Sequence, residues 1–286
     1  MHTHGSGAWE AGADAAYDLH WQALAKKWDC AFLAPSFHHG TTKKELDANW
    51  YRYFVPGGGS GDVFLGALHD LAVKSSHPEL EKVPWCLWGH SAGGIWSGLM
   101  QAHDPDRIVA IWLRSGSGWG FAEEGFIPNW RLAPTENLRG VPVIDTFGMG
   151  GDESNKEKAN LKNALAMLRE FRAVDAPVGL AADPLTGHNC GDSRLVAIPY
   201  FDTMLAMRLP DKGSKDQKLK PVDMKAAWLA DPSSDTAVPA AQYKGDPKQA
   251  AWLPNESFAK KWMGEATTRH DKLGRRTWPP PFQGAS

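Results

Sequence analysis

The run Gly89-His90-Ser91-Ala92-Gly93 carries the pattern G-x-S-x-G. A serine in this pattern can do chemistry when it sits on a sharp turn from a strand into a helix. The turn lifts its hydroxyl above the sheet, where the oxygen can attack a carbonyl carbon. The flanks fit that setting: residues 83–88 are an apolar run that reads as strand, and residues 94–102 read as helix. The glycines have a steric reason, because a Cβ beside so tight a turn would drive strand and helix into each other. The same turn brings the Ala92 amide to the place where an oxyanion would form. The plain alternative is a serine that only makes a turn.

A hydroxyl of this kind needs a base and a carboxylate to orient the base. In this arrangement they follow in the order serine, acid, histidine, each after a later strand. Residues 141–147 read as a buried strand and run into Gly148-Met149-Gly150-Gly151-Asp152-Glu153. Asp152 is the candidate acid, with Glu153 its neighbouring rival and Asp183 a further one; Asp145 falls inside the strand, too deep to serve. Residues 177–182 read as the next strand, leading through Asp183-Pro184-Leu185-Thr186-Gly187-His188 to a helix-like segment over 192–208. His188 is the candidate base, on a loop with room to reach Ser91. His90 adjoins the serine but should point sideways, so it is a candidate for substrate contact more than for the base. His38 and His39 read as solvated loop residues. Trp119, in Ser115-Gly116-Ser117-Gly118-Trp119-Gly120-Phe121, follows a strand and could wall a pocket for an acyl or aryl group. Cys190 has no elbow of its own and reads as packing.

These pieces, with His4-Gly5-Ser6-Gly7, the stretch over residues 21–25 and the strand-like Leu33-Ala34-Pro35, resemble the α/β-hydrolase superfamily. Within it the chain is similar to serine esterases of the polyhydroxybutyrate-depolymerase and feruloyl-esterase type, over residues 1–210. The resemblance implies a mostly parallel sheet with helices on both faces. It also implies ester hydrolysis through an acyl-enzyme on small aryl or short-acyl esters or on polyesters. Ser91, His188 and Asp152 would form the triad, with the Ser6 amide as a second oxyanion donor beside Ala92. The family carries strands ahead of its His-Gly loop, so the expected sheet is shortened at its N-terminal side. Cys30 and Cys86 would lie on strands flanking the His-Gly strand, too far apart to bond, and read as small buried hydrophobes. An amide or peptide hydrolase of the same fold, or a catalytically silent binding body, are the competing functions.

The elements that must position this set alternate along the chain. Residues 11–27 and 61–74 read as helices, 30–35 and 108–113 as strands, and 156–172 as a helix with Leu161, Leu165, Met167, Leu168 and Phe171 on one face. Apolar strands without alternation, separated by helices, argue for a covered parallel sheet. Pro56-Gly57-Gly58-Gly59-Ser60-Gly61 lacks a P-loop ending and reads as a turn capped by Ser60 or Asp62.

From residue 211 to 286 the chain is irregular and shows no convincing strand. Trp228, Trp252, Trp262 and Trp278 are spread along it, so an extension wrapped on the 1–210 body is expected, with Pro279-Pro280-Pro281 as an extended end. A chain of 286 residues, 42% apolar, has ample material for one large core. A net charge of −2 gives no electrostatic case for nucleic acid. No run approaches the about 18 apolar residues of a membrane span, and no zinc-like ligand spacing occurs. The chemistry needs no cofactor, and a monomer is expected. A secreted or periplasmic location fits a chain whose N-terminus was removed from a longer one. Asp152→Asn should lower turnover by about 10⁴-fold with the fold intact; the same loss in Glu153→Gln instead would move the acid by one position.

Overall fold

The computed structural model describes residues 1–3, 9–35, 52–117, 119, 136–148, 154–183, 186–191, 193–214 and 217–268. The apolar runs become the parallel strands β2 (Trp85–His90), β3 (Ile108–Arg114), β4 (Val143–Gly148) and β5 (Val178–Asp183), and the polar pair His2–Thr3 adds a short β1. They lie in the order β1-β2-β3-β4-β5, every neighbouring pair parallel. The described helices of this body are α1 (Trp9–Ala16), α2 (Leu19–Trp28), α3 (Ser60–Ser75), α4 (Ala92–His103), α5 (Ser154–Ala173) and α6 (Arg194–Arg208). Every residue of β3 is buried, which is why its sequence reads as a continuous apolar run and not as an alternation.

Side-chain direction alternates along a strand, and this assigns the helices to faces. Gly89 abuts Gly93 and Ser97 of α4, whereas Trp88, one residue earlier, meets Trp21 of α2 with centroids 6.3 Å apart. On β3, Leu113 faces α4 at Gly98, whereas Trp112 meets Tyr200 of α6 at 5.7 Å. Helix α4 therefore covers one face, with α3 joined to it through Phe64 and Trp96 at 5.4 Å, and α2 and α6 cover the other. His90 and Arg114, in register across β2 and β3, both fall on the α2/α6 face.

Four expectations are corrected. The helix expected over 11–27 is two, broken at Tyr17-Asp18, because the Asp18 carboxylate accepts from the His20 and Trp21 amides and caps a second helix. Residues 30–35 form no strand: Asp29 turns left-handed at φ 52°, Phe32 stacks on Trp21, and Cys30 is exposed. Cys86, on β2, does pack against the core, and desolvation pushes its thiol up to about 12. Ser60 does not cap α3; its hydroxyl accepts from the Trp96 indole at 3.0 Å, and Gly59 at φ 113° makes the turn.

The extension also departs from expectation. It contains β6 (Trp228–Ala230), β7 (Ala237–Pro239) and β8 (Ala251–Leu253), an antiparallel sheet in the order β7-β6-β8, then α7 (Glu256–Thr268). Strands of three residues are too short to show a period, so the sequence hides them. Buried tryptophans and arginines hold this segment to the body. Trp252 is wholly buried, and the Trp262 indole donates to the Leu180 carbonyl of β5 at 2.9 Å. Arg172 donates to the carbonyls of Ala250 and Pro247, and Arg208 to those of Ile108, Val109 and Lys220. Trp228 is half-buried and Trp278 lies outside the described residues. Among the described residues no helix is long and apolar enough to cross a membrane. Trp262→Ala should cost about 3–5 kcal/mol of stability in urea unfolding; a loss below about 1 kcal/mol would show that the extension does not depend on this anchor.

Candidate active site

Ser91 stands between the last residue of β2 and the first of α4, with φ 55° and ψ −124°. A residue with a Cβ pays on the order of 1–3 kcal/mol to hold such a conformation, so neighbouring bonds must fix it. The Ser91 amide donates to the Arg114 carbonyl at 2.9 Å, and the Ser91 carbonyl accepts from Ile95 at 3.0 Å. Close backbone approach completes the turn. A Cβ on Gly89 would strike the Gly93 carbonyl, and one on Gly116 would strike the carbonyl of Ser91 itself. The end of β1 is bound into the same turn: the Thr3 hydroxyl lies 3.1 Å from the Trp88 carbonyl, 3.0 Å from that of Gly93 and 3.1 Å from the Ser97 hydroxyl.

His188, 97 residues further along the chain, has its Nε2 3.0 Å from the Ser91 hydroxyl oxygen. With the ring proton on Nδ1, the hydroxyl donates to Nε2, the geometry in which a base can take its proton. The segment bearing His188 is gripped along its main chain. His90 Nε2 donates to the carbonyl of His188. Arg114 donates to the carbonyl of Asn189 at 2.9 Å, that of Gly187 at 2.9 Å and the Thr186 hydroxyl at 2.7 Å. Asp183, at the end of β5, lies 3.6 Å from the same guanidinium and accepts from the Thr186 hydroxyl.

The other candidates are distributed as follows. Ala92 opens α4, so its amide is one of the first few that have no acceptor within the helix, at the positive end of the helix dipole. Asp183 is buried and engaged with Arg114 and Thr186. Asp145 sits mid-strand, 2% exposed, opposite Leu113 and Leu180. His90 lies beside His188, ring centroids 5.2 Å apart, with its Nε2 engaged on the His188 carbonyl. Trp119 is only 2% exposed and packs edge-on against Phe171 of α5 at 5.9 Å; residues 118 and 120–135 around it lie outside the described residues. Cys190 is partly buried, and desolvation pushes its thiol up to about 11. Asp152, Glu153, Ser6, His38 and His39 lie outside the described residues.

Sequence reasoning overlooked Arg114. Its signal was present: a single cation ends an otherwise apolar strand at the rim of the sheet where Ser91 and His188 meet. Among the described residues no group of three or more His, Cys, Asp or Glu side chains could hold a metal ion. No protein-family model matches the chain, and comparison with curated proteins and with solved structures gives no match. The site is thus judged on its geometry: a strained serine, an imidazole in hydrogen-bond reach of it and a helix N-terminus beside it can together polarise a hydroxyl toward attack on an electrophilic carbon.

Gly116→Ala should destabilise the protein by about 1–3 kcal/mol, because the added methyl displaces the Ser91 carbonyl. Gly66→Ala, in the exposed middle of α3 with nothing within 4 Å, should instead stabilise by about 0.5–1 kcal/mol. Chemical denaturation of both variants checks the pair, and equal effects would contradict the close approach at the turn.

Proposed function

We propose that the chain is a serine hydrolase of carboxylic esters, built as an α/β-hydrolase and akin to polyhydroxybutyrate-depolymerase and feruloyl-esterase enzymes. One observation carries this reading: the 3.0 Å contact between the Ser91 hydroxyl and His188 Nε2, made from a strained backbone conformation, φ 55° and ψ −124°, outside the ordinary left-handed turn region. Support also comes from the all-parallel sheet order, with both residues at the C-terminal ends of its strands, the edge where open α/β sheets bind ligands.

The reaction follows from these groups. His188 Nε2 takes the Ser91 proton while Oγ bonds to the ester carbonyl carbon, whose π electrons move to oxygen. The Ala92 amide, with that of Ser6, donates to this oxyanion; each such donor contributes about 3 kcal/mol. Asp152 holds the imidazole by Nδ1 and stabilises its cationic form. The C–O bond to the alcohol breaks, the alcohol leaves with the proton from His188, and the acyl group stays on Ser91. Water then gives its proton to His188 and its oxygen to the acyl carbon. Cleavage of the acyl–Oγ bond releases the acid and returns the proton to Ser91.

Short acyl chains should be preferred, since no segment of the sequence reads as a long apolar lid. A panel of p-nitrophenyl esters, methyl ferulate and a polyhydroxyalkanoate film tests this reading. Turnover should be highest on acetyl to butyryl esters and should vanish in Ser91→Ala. A preference for dodecanoyl esters would overturn the predicted specificity, and turnover retained by Ser91→Ala would overturn the mechanism.

A further inference from the structure

We propose that Arg114 is a positioning residue that sets the distance between Ser91 and His188 by holding both through one strand end; this rests on the hydrolase reading above. Two connections meet in this residue. Its main-chain carbonyl accepts the Ser91 amide at 2.9 Å, so it fixes the turn that presents the hydroxyl. Its guanidinium donates to the carbonyls of Gly187 and Asn189, the residues on either side of His188. The carbonyl between them, that of His188, is taken by His90, the register partner of Arg114 on the neighbouring strand. Three successive carbonyls of the histidine loop are thus bound by two side chains that leave the same face of the sheet.

The chemistry of the side chain matters. A guanidinium is a planar fork with donors at fixed angles, so two carbonyls bound to it are fixed relative to each other as well as to the strand. A lysine ammonium offers a single point and cannot hold both in register. Arg114 is wholly buried, and Asp183 at 3.6 Å offsets its charge while accepting from Thr186, which in turn accepts from the guanidinium. The loop is thereby pinned without a bare cation beside an imidazole that must itself become cationic. Arg172 makes a comparable set of bonds, to Ala176, Pro247 and Ala250, but on residues of the α5–β5 turn and the extension. It is a matched control for burial and hydrogen bonding without the link to Ser91.

The test is the labelling of the full chain by a fluorophosphonate probe, read as two separate quantities: the plateau, which counts competent sites, and the rate constant per site. Arg114→Lys should lower the per-site rate by about 100-fold, the cost of a misplacement near 1 Å. Thr186→Val, which preserves shape, should lower it about 10-fold. Arg114→Ala should recover part of its rate on adding methylguanidinium. Arg172→Lys should keep the wild-type rate per site, whatever plateau it loses through instability. Folded Arg114→Lys or Thr186→Val protein that labels at the wild-type rate would overturn the positioning role alone, as would an equal fall in Arg172→Lys. Should the arginine variants fail to fold, the Thr186→Val rate decides. Wild-type protein that takes no label would overturn the hydrolase reading, and this assignment with it.

Discussion

The close passage of three pieces of main chain at the end of β2 governs the rest of this molecule. Strand β2, the first turn of α4 and the segment after β3 approach so nearly that a methyl group on Gly89 or Gly116 has no room. That crowding forces Ser91 to φ 55° and ψ −124° and keeps it there against its own preference. The bonds from the Ser91 amide to Arg114 and from Ile95 to the Ser91 carbonyl supply the compensating energy. Without the approach, a serine at this point would relax into an ordinary helix cap and its hydroxyl would turn to the α4 amides.

Buried arginines are the second recurring device. Arg114, Arg172 and Arg208 each direct their donors to main-chain carbonyls of other segments: the histidine loop, the β7–β8 connection and strand β3 with residue 220. A carbonyl at a strand or helix end needs a donor when it is buried, and a guanidinium can satisfy several at once. In this chain the arginines join parts that are distant in sequence. Burial depresses the pKa of Arg208 to about 10, which still leaves it charged at neutral pH.

The legible and illegible parts of the sequence divide on physical lines. Strands β2 to β5 are covered on both faces, so each leaves an apolar run long enough to recognise, and Ser91 and His188 follow from what those runs lead into. The strands of the extension are three residues long and the chain over 30–35 makes no ladder, so the same reasoning misses the first and invents the second. The break at Asp18 is missed by reading 11–27 as one helix, although an aspartate followed by a new helical turn is a cap signal. Trp119 follows a strand, which local reading finds; its contact with Phe171 depends on a helix far along the chain, which local reading does not reach. The role of Arg114 is illegible for a similar reason, because the loop carbonyls it binds lie 73 and 75 residues further along the chain.

Everything proposed for this site requires that the hydroxyl of Ser91 be made reactive by the imidazole 3.0 Å away. Incubating the native protein with a fluorophosphonate and mapping the adduct by peptide mass spectrometry measures this directly. One adduct is expected, on Ser91, and it should be lost in His188→Ala protein that remains folded. An adduct on another residue, no adduct at all, or undiminished labelling of Ser91 without His188 would contradict that requirement.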